Sequence, residues 1–312
     1  MSIGRNRTIL FAARRAGSAV ESDFMRATPG GEAALRRRLD ALYRHYDHRF
    51  VDPDPLQFVR AHDHPADQEV VGLVAAALAY GNVKQIKRSI AAALAVLGPR
   101  PARAVRRLHP RAARAALARF KHRFNDGRDV AALFFFIRQM LERWGSVEAF
   151  FCAGLDGGEH LGGALAAFSA RALALDHGGL YGRGRLPRDA GVRFFFPSPA
   201  GGSACKRLNL YLRWMVRREG VDLGLWRGVD PKALVIPLDA HIITLGRRLG
   251  LTRYRSPGWR MAVDITSSLR RLDPRDPVKY DFALHRMGLW KKEDEVRELE
   301  AIRSGTVGSR RR

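Results

Sequence analysis

Lys206 closes the run Ser198-Pro199-Ala200-Gly201-Gly202-Ser203-Ala204-Cys205-Lys206, and Asp239 follows 33 positions later in Ile236-Pro237-Leu238-Asp239-Ala240-His241. Of the 55 Lys+Arg residues only 8 are lysines, so where a positive charge alone is needed this chain supplies arginine. Arginine stays protonated at any working pH, whereas a lysine amine can lose its proton and attack carbon. A carboxylate held within reach would stabilise a cation forming at that carbon.

Each of the two residues opens an expected helix. Ser203 reads as an N-cap, which puts Ala204, Cys205 and Lys206 in the first turn and Gly220 just past the end. Leu208, Leu212, Met215 and Val216 then face the core, and Lys206, Asn209, Arg213 and Arg217 form the opposite stripe. A cation at a helix N-terminus points against the dipole, which favours its neutral form. The same stripe also suits a solvated or phosphate-facing surface; the spacing alone leans to that reading and leaves both open. Asp239 reads as the N-cap of a helix over Ala240 to Leu249, closed by Gly250. Capping alone accounts for an Asp there, although a capping carboxylate is also held rigidly. A histidine in the position of His241 is more often polar or at a core edge than catalytic.

The rest of the chain predicts an all-α protein. Helices are expected over Ala33 to Phe50, Val70 to Tyr80, Lys84 to Leu97, Ala102 to Arg119 and Val130 to Arg143, with a short one from Ser146. Val70 to Tyr80 is apolar nearly all round and is expected to be buried. Val192 to Phe196 is the one stretch that reads as a strand, cut off by Pro197. Residues 1–31 and 303–312 read as loose basic ends around a single unit, 32–302. The formal net charge of +24 favours a polyanionic partner such as nucleic acid. Two cysteines, Cys152 and Cys205, are too few for a disulfide framework or a four-cysteine metal site. With no apolar run of membrane-spanning length, the expectation is a soluble cytoplasmic monomer that needs no metal or cofactor.

Together, the Gly201-to-Lys206 and Ile236-to-His241 segments resemble the helix-hairpin-helix DNA glycosylase superfamily, the second being similar to its Pro-Val-Asp-Thr-His motif. The long interval between Lys206 and Asp239 resembles the archaeal 8-oxoguanine glycosylase branch. The usual Leu-Pro-Gly-Val-Gly hairpin is replaced here by Ser198-Pro199-Ala200-Gly201-Gly202. From about Leu35 to Trp290 the chain also resembles a bacterial family of unassigned function, through Leu78 to Ile86, Ser203 to Asn209 and Asp276 to Leu284.

What the glycosylase resemblance implies is a two-lobed helical fold with a cleft between the lobes. Lys206 would attack the sugar of damaged double-stranded DNA, Asp239 would support the developing charge, and Gly201, Gly202 and Ser203 would hold a phosphate. Base recognition would draw on Asn209, His241, Asp281, His285 and Trp290. The expected activity is excision of an oxidised purine, 8-oxoguanine first, with lyase cleavage. Two other readings remain at this stage: a non-enzymatic nucleic-acid-binding protein that uses Lys206 as a phosphate contact, and an alkylated-base glycosylase for which Asp239 matters and Lys206 does not. Lys84, Lys279 and the run Arg103, Arg106, Arg107, Arg111, Arg114 are lesser candidates for phosphate contact. His62-Asp63-His64 has the residue types of a metal cluster, but its spacing sends the two histidines to different sides.

Overall fold

The computed structural model describes residues 29–306. Most of the segments expected to be loose, 1–28 and 307–312, lie outside the described residues; residues 29–31 instead begin the first helix.

Among the described residues the chain is predominantly helical. Its helices are α1 (Pro29–His45), α2 (Leu56–Arg60), α3 (Pro65–Ala77), α4 (Val83–Ala95), α5 (Pro101–Arg107), α6 (Pro110–Ala116), α7 (Gly127–Trp144), α8 (Val147–Cys152), α9 (Gly162–Leu173), α10 (Lys206–Val216), α11 (Ala240–Arg248), α12 (Trp259–Leu272), α13 (Asp281–Leu289) and α14 (Glu293–Ser304). A two-stranded antiparallel ribbon, β1 (Lys121–His122) and β2 (Asn125–Asp126), precedes α7.

Local signals set most of these starts. Pro65 occupies the first turn of α3, and the His64 ring Nδ1 accepts the Ala66 N–H at 3.2 Å, so this histidine caps a helix rather than joining a metal site. Asp126 and Asp129 form a reciprocal capping box at the head of α7, three residues earlier than the apolar pattern predicts. Ser146 caps α8 through a 2.9 Å bond from the Ala149 N–H.

Two expectations fail for identifiable reasons. The Arg-rich stretch from Ala102 to Arg119 is two helices, because Pro110 cannot continue a helix and starts a new one capped by His109. Val192 to Phe196 is a 3-10 turn over Gly191–Phe195, not a strand. Strand pairing occurs at Lys121 to Asp126, whose residue types carry little β preference.

The packing centres on α3, whose residues Val70 to Ala77 are buried. It lies against α2, α4, α5 and α10. The α3–α10 approach is close at Gly72, where a Cβ would come within 2.9 Å of Met215 Cε. A second group of helices, α1 with α12, α13 and α14, and α11 with α13, packs mainly within itself. The candidate site lies where α10 and the start of α4 face α11 and α13.

Candidate active site

Lys206 and Asp239 line the same cavity, of about 270 Å³, together with Ala79, Gly81, Val83, His241, Asp281 and His285. Asp239 caps α11 as its sequence predicts, accepting the Ile242 N–H at 2.8 Å. Its other oxygen lies 3.1 Å from His285 Nε2 on α13. Burial opposes ionisation of this carboxyl, but the His285 hydrogen bond and charge, the Ile242 N–H and the charge of Lys206 outweigh it and hold the pKa down to about 2. Asp239 is therefore a fixed negative charge at neutral pH.

Arg286 sets the histidine. Its Nη1 is 3.2 Å from His285 Nδ1, while its Nε and Nη2 donate to the carbonyls of Phe50 at 2.8 Å and Val51 at 2.9 Å. A guanidinium has no acceptor, so in the neutral imidazole Nδ1 is the unprotonated nitrogen and Nε2 carries the hydrogen given to Asp239. His241 stands edge-on to His285 with ring centroids 5.3 Å apart. Burial first, then the neighbouring His285 and Lys206, lower the His241 pKa against the opposing pull of Asp239, so it is neutral at physiological pH.

The Lys206 amine has one weak partner, the Ala79 carbonyl at 3.5 Å, and makes no ion pair among the described residues. Lysine elsewhere in this chain is differently placed. Lys279, a lesser phosphate candidate, is bound to Asp40 at 2.9 Å and Asp273 at 2.7 Å, so it cannot serve that role. Lys84 is exposed in the first turn of α4.

Lys206 is the first residue of its helix rather than the third. Cys205 immediately before it takes a left-handed conformation, φ 49°, and the Ser203 hydroxyl caps the turn by accepting the Cys205 N–H at 3.2 Å. The expected phosphate clamp is altered by the same turn. The Gly201 N–H donates to Ser198 O at 3.1 Å and the Gly202 N–H to Pro199 O at 2.8 Å, so neither is free for a ligand. An open groove next to this turn is lined instead by Ser203, Lys206, Arg207, Arg188 and Arg193. Lys206 lines both the cavity and the groove.

The stripe beyond Lys206 is not solvated. Asn209 is buried, donates to Ala204 O at 3.0 Å and does not line the cavity, which removes it from base recognition. Arg213 bonds Asp222 at 3.2 Å and also Asp281; Arg217 bonds Asp222 and, at 2.9 Å, Asp276. Asp281, expected at the base, reaches the cavity wall with its carboxylate committed to Arg213. Trp290 does not line the cavity either: its ring packs against Tyr46 and Phe50 at 5.8 and 5.7 Å. Among the described residues no group of three or more His, Cys, Asp or Glu is placed to hold a metal ion, and both cysteines are free. Reading the sequence missed Arg286, the Ala79 carbonyl and the wall formed by Gly81 and Val83. The string Leu78 to Ile86 was the only signal for Ala79, Gly81 and Val83, and Arg286 had none.

No helix among the described residues is long and apolar enough to cross a membrane. Comparison with curated proteins and with solved structures returned no match. Residues 54–290 match a family described as a protein of unknown function, DUF2400. That span takes in both halves of the cavity, and the chain belongs to this family.

Proposed function

We propose that this protein is a DNA glycosylase with associated lyase activity, acting on an oxidised purine such as 8-oxoguanine in duplex DNA. One observation carries the reading: an amine without an ion-pair partner and a carboxylate held ionised line one cavity, beside a basic groove. The two packing groups of helices are, on this reading, the two lobes of a helix-hairpin-helix glycosylase.

A base inside a duplex cannot be reached, so the target nucleotide is turned out into the cavity. Once it has lost its proton, the Lys206 amine donates its lone pair to C1′, and the C1′–N bond breaks with its electrons leaving on the base, which takes up the proton shed by the newly bonded nitrogen. The ring C1′–O4′ bond then opens, with its electrons on O4′ and a proton from water completing the hydroxyl there, to give the protonated imine. Loss of a C2′ proton expels the 3′ phosphate. Asp239 stabilises positive charge at C1′ during base departure and can accept a proton later. The net charge of +24 fits a cytoplasmic DNA partner bound by a monomer through counterion release.

Borohydride reduction during reaction with an 8-oxoguanine duplex tests this. A covalent protein–DNA adduct is expected from the parent and none from Lys206→Gln. A protein that only binds DNA yields no adduct from either, and a monofunctional alkylated-base glycosylase likewise yields no adduct but releases an alkylated base equally well without the lysine.

A further inference from the structure

The two-residue tip of the β1–β2 ribbon carries Arg123 and Phe124, and Phe124 is 56% exposed, the most exposed large hydrophobic side chain among the described residues. Hairpin tips ordinarily carry Gly, Asn or Asp because their backbone must turn and their side chains face water. Here Arg123 takes the left-handed conformation at φ 55° instead. The residues on either side are clamped. His122 is fully buried between Ser89 Oγ at 2.9 Å and Tyr80 O at 3.0 Å, and Asn125 donates to Asp129 at 2.8 Å and Gly191 O at 2.9 Å. A rigid base thus holds a phenyl ring out into solvent.

That ring is one edge of an aromatic surface. Phe124 meets Phe194 edge-on at 4.4 Å and Tyr80 at 5.5 Å, and Phe194 is itself 37% exposed. Beneath them the Arg207 guanidinium lies 3.8 Å from the Phe194 ring centre and 5.1 Å from that of Tyr80. Phe194 lines the basic groove, while Arg123 packs against Gly81, whose added Cβ would stand 3.0 Å from Arg123 Cδ, at the wall of the Lys206 cavity. The surface therefore bridges groove and cavity, with the exposed Arg123 next to Phe124 at the tip and the exposed Arg188 lining the groove with Phe194.

We propose that Phe124, with Phe194 behind it, is a stacking platform for an unstacked nucleobase of the strand whose neighbouring nucleotide enters the Lys206–Asp239 cavity. It rests on the reading of that cavity as a nucleic-acid site. An exposed aromatic beside cationic side chains fits a polyanion with flat apolar faces, and base stacking on such rings is tolerant of sequence. Phe124 has no hydrogen-bonding atom, so it supplies affinity for bases already out of the helix and not base identity.

The test uses the full chain and two fluorescein-labelled probes, an intact duplex and a duplex with one tetrahydrofuran abasic analogue, titrated by anisotropy at several salt concentrations. Phe124→Ala is expected to weaken binding of the abasic duplex by about fivefold or more with an unchanged salt slope, and Phe124→Trp to restore it. Intact duplex is expected to bind Phe124→Ala and parent equally. If Phe124→Ala binds the abasic duplex as the parent does, or if Phe124→Trp fails to restore a loss, the platform falls while the DNA reading stands. If the parent binds neither probe at low salt, both fall together. Thermal unfolding of Phe124→Ala matching the parent shows the change is confined to the tip.

Discussion

Asp239 on α11 and His285 on α13 are joined by a 3.1 Å contact between Oδ2 and Nε2, with Arg286 fixing the tautomer from the far side of the imidazole. The histidine is the largest of the influences that favour ionised Asp239. Removing it by His285→Ala should raise the carboxyl pKa, so the acidic limb of the pH–rate profile for base release should move to higher pH. Rates measured from pH 3 to pH 8 check this; an unmoved limb would separate Asp239 from the ionisation that matters.

Asp239 also links stability to acid. Its folded pKa of about 2 lies below the ordinary value of 3.8, so the folded form binds its proton less readily than the unfolded chain. The stabilisation is present above pH about 4 and is lost as pH falls toward 2, on the order of 2 kcal/mol in full. Urea midpoints of the parent should fall more steeply over that window than those of Asp239→Asn. Asparagine can keep the Ile242 cap, so at neutral pH the variant should lose much more activity than fold.

Asp281 separates a structural role from a recognition role. The residue is 3% exposed, and its carboxylate is bonded to the equally buried Arg213. Asp281→Ala leaves that guanidinium short of a partner in the interior and should cost about 3 kcal/mol or more. A base-reading residue would alter specificity at little cost in stability; here denaturant unfolding should register the change first.

Gly288 provides a case where helix propensity and packing oppose each other. Glycine to alanine within a helix ordinarily gains up to about 1 kcal/mol. At Gly288 the new Cβ would lie 2.6 Å from His241 Cβ, so α13 must shift away from α11. Overpacking of this kind costs about 1–3 kcal/mol. Gly288→Ala should therefore lower the melting temperature, and by loosening the Asp239–His285 contact lower activity further than its stability loss accounts for.

Elements whose signals are local were legible in the sequence. The Asp239 cap, the Gly250 stop, the Ser146 cap and the buried run of α3 all follow from residues within a few positions of one another. The stripe Asn209, Arg213 and Arg217 was not, because a helical period reports which side chains share a face and not what covers that face. Its partners, Asp222, Asp276 and Asp281, lie 5 to 68 positions away. The ribbon at Lys121 to Asp126 was hidden for a related reason. It is held by His122 and Asn125 reaching Tyr80, Ser89 and Gly191, and not by β-forming side chains.

The buried Arg213–Asp281 pair has a bearing on chain length. Arg213 sits two turns along the helix that Lys206 begins, and Asp281 one turn before His285, so this ion pair fixes the amine against the acid–histidine couple across a rigid helical ruler. The 33-residue interval along the chain then does not set how far apart Lys206 and Asp239 stand. Extra residues placed in the exposed turn at Arg218 to Gly220 would add loop-closure entropy that grows only with the logarithm of length. Spacing between the two motifs is thus free to drift over evolutionary time while the site they form keeps its dimensions.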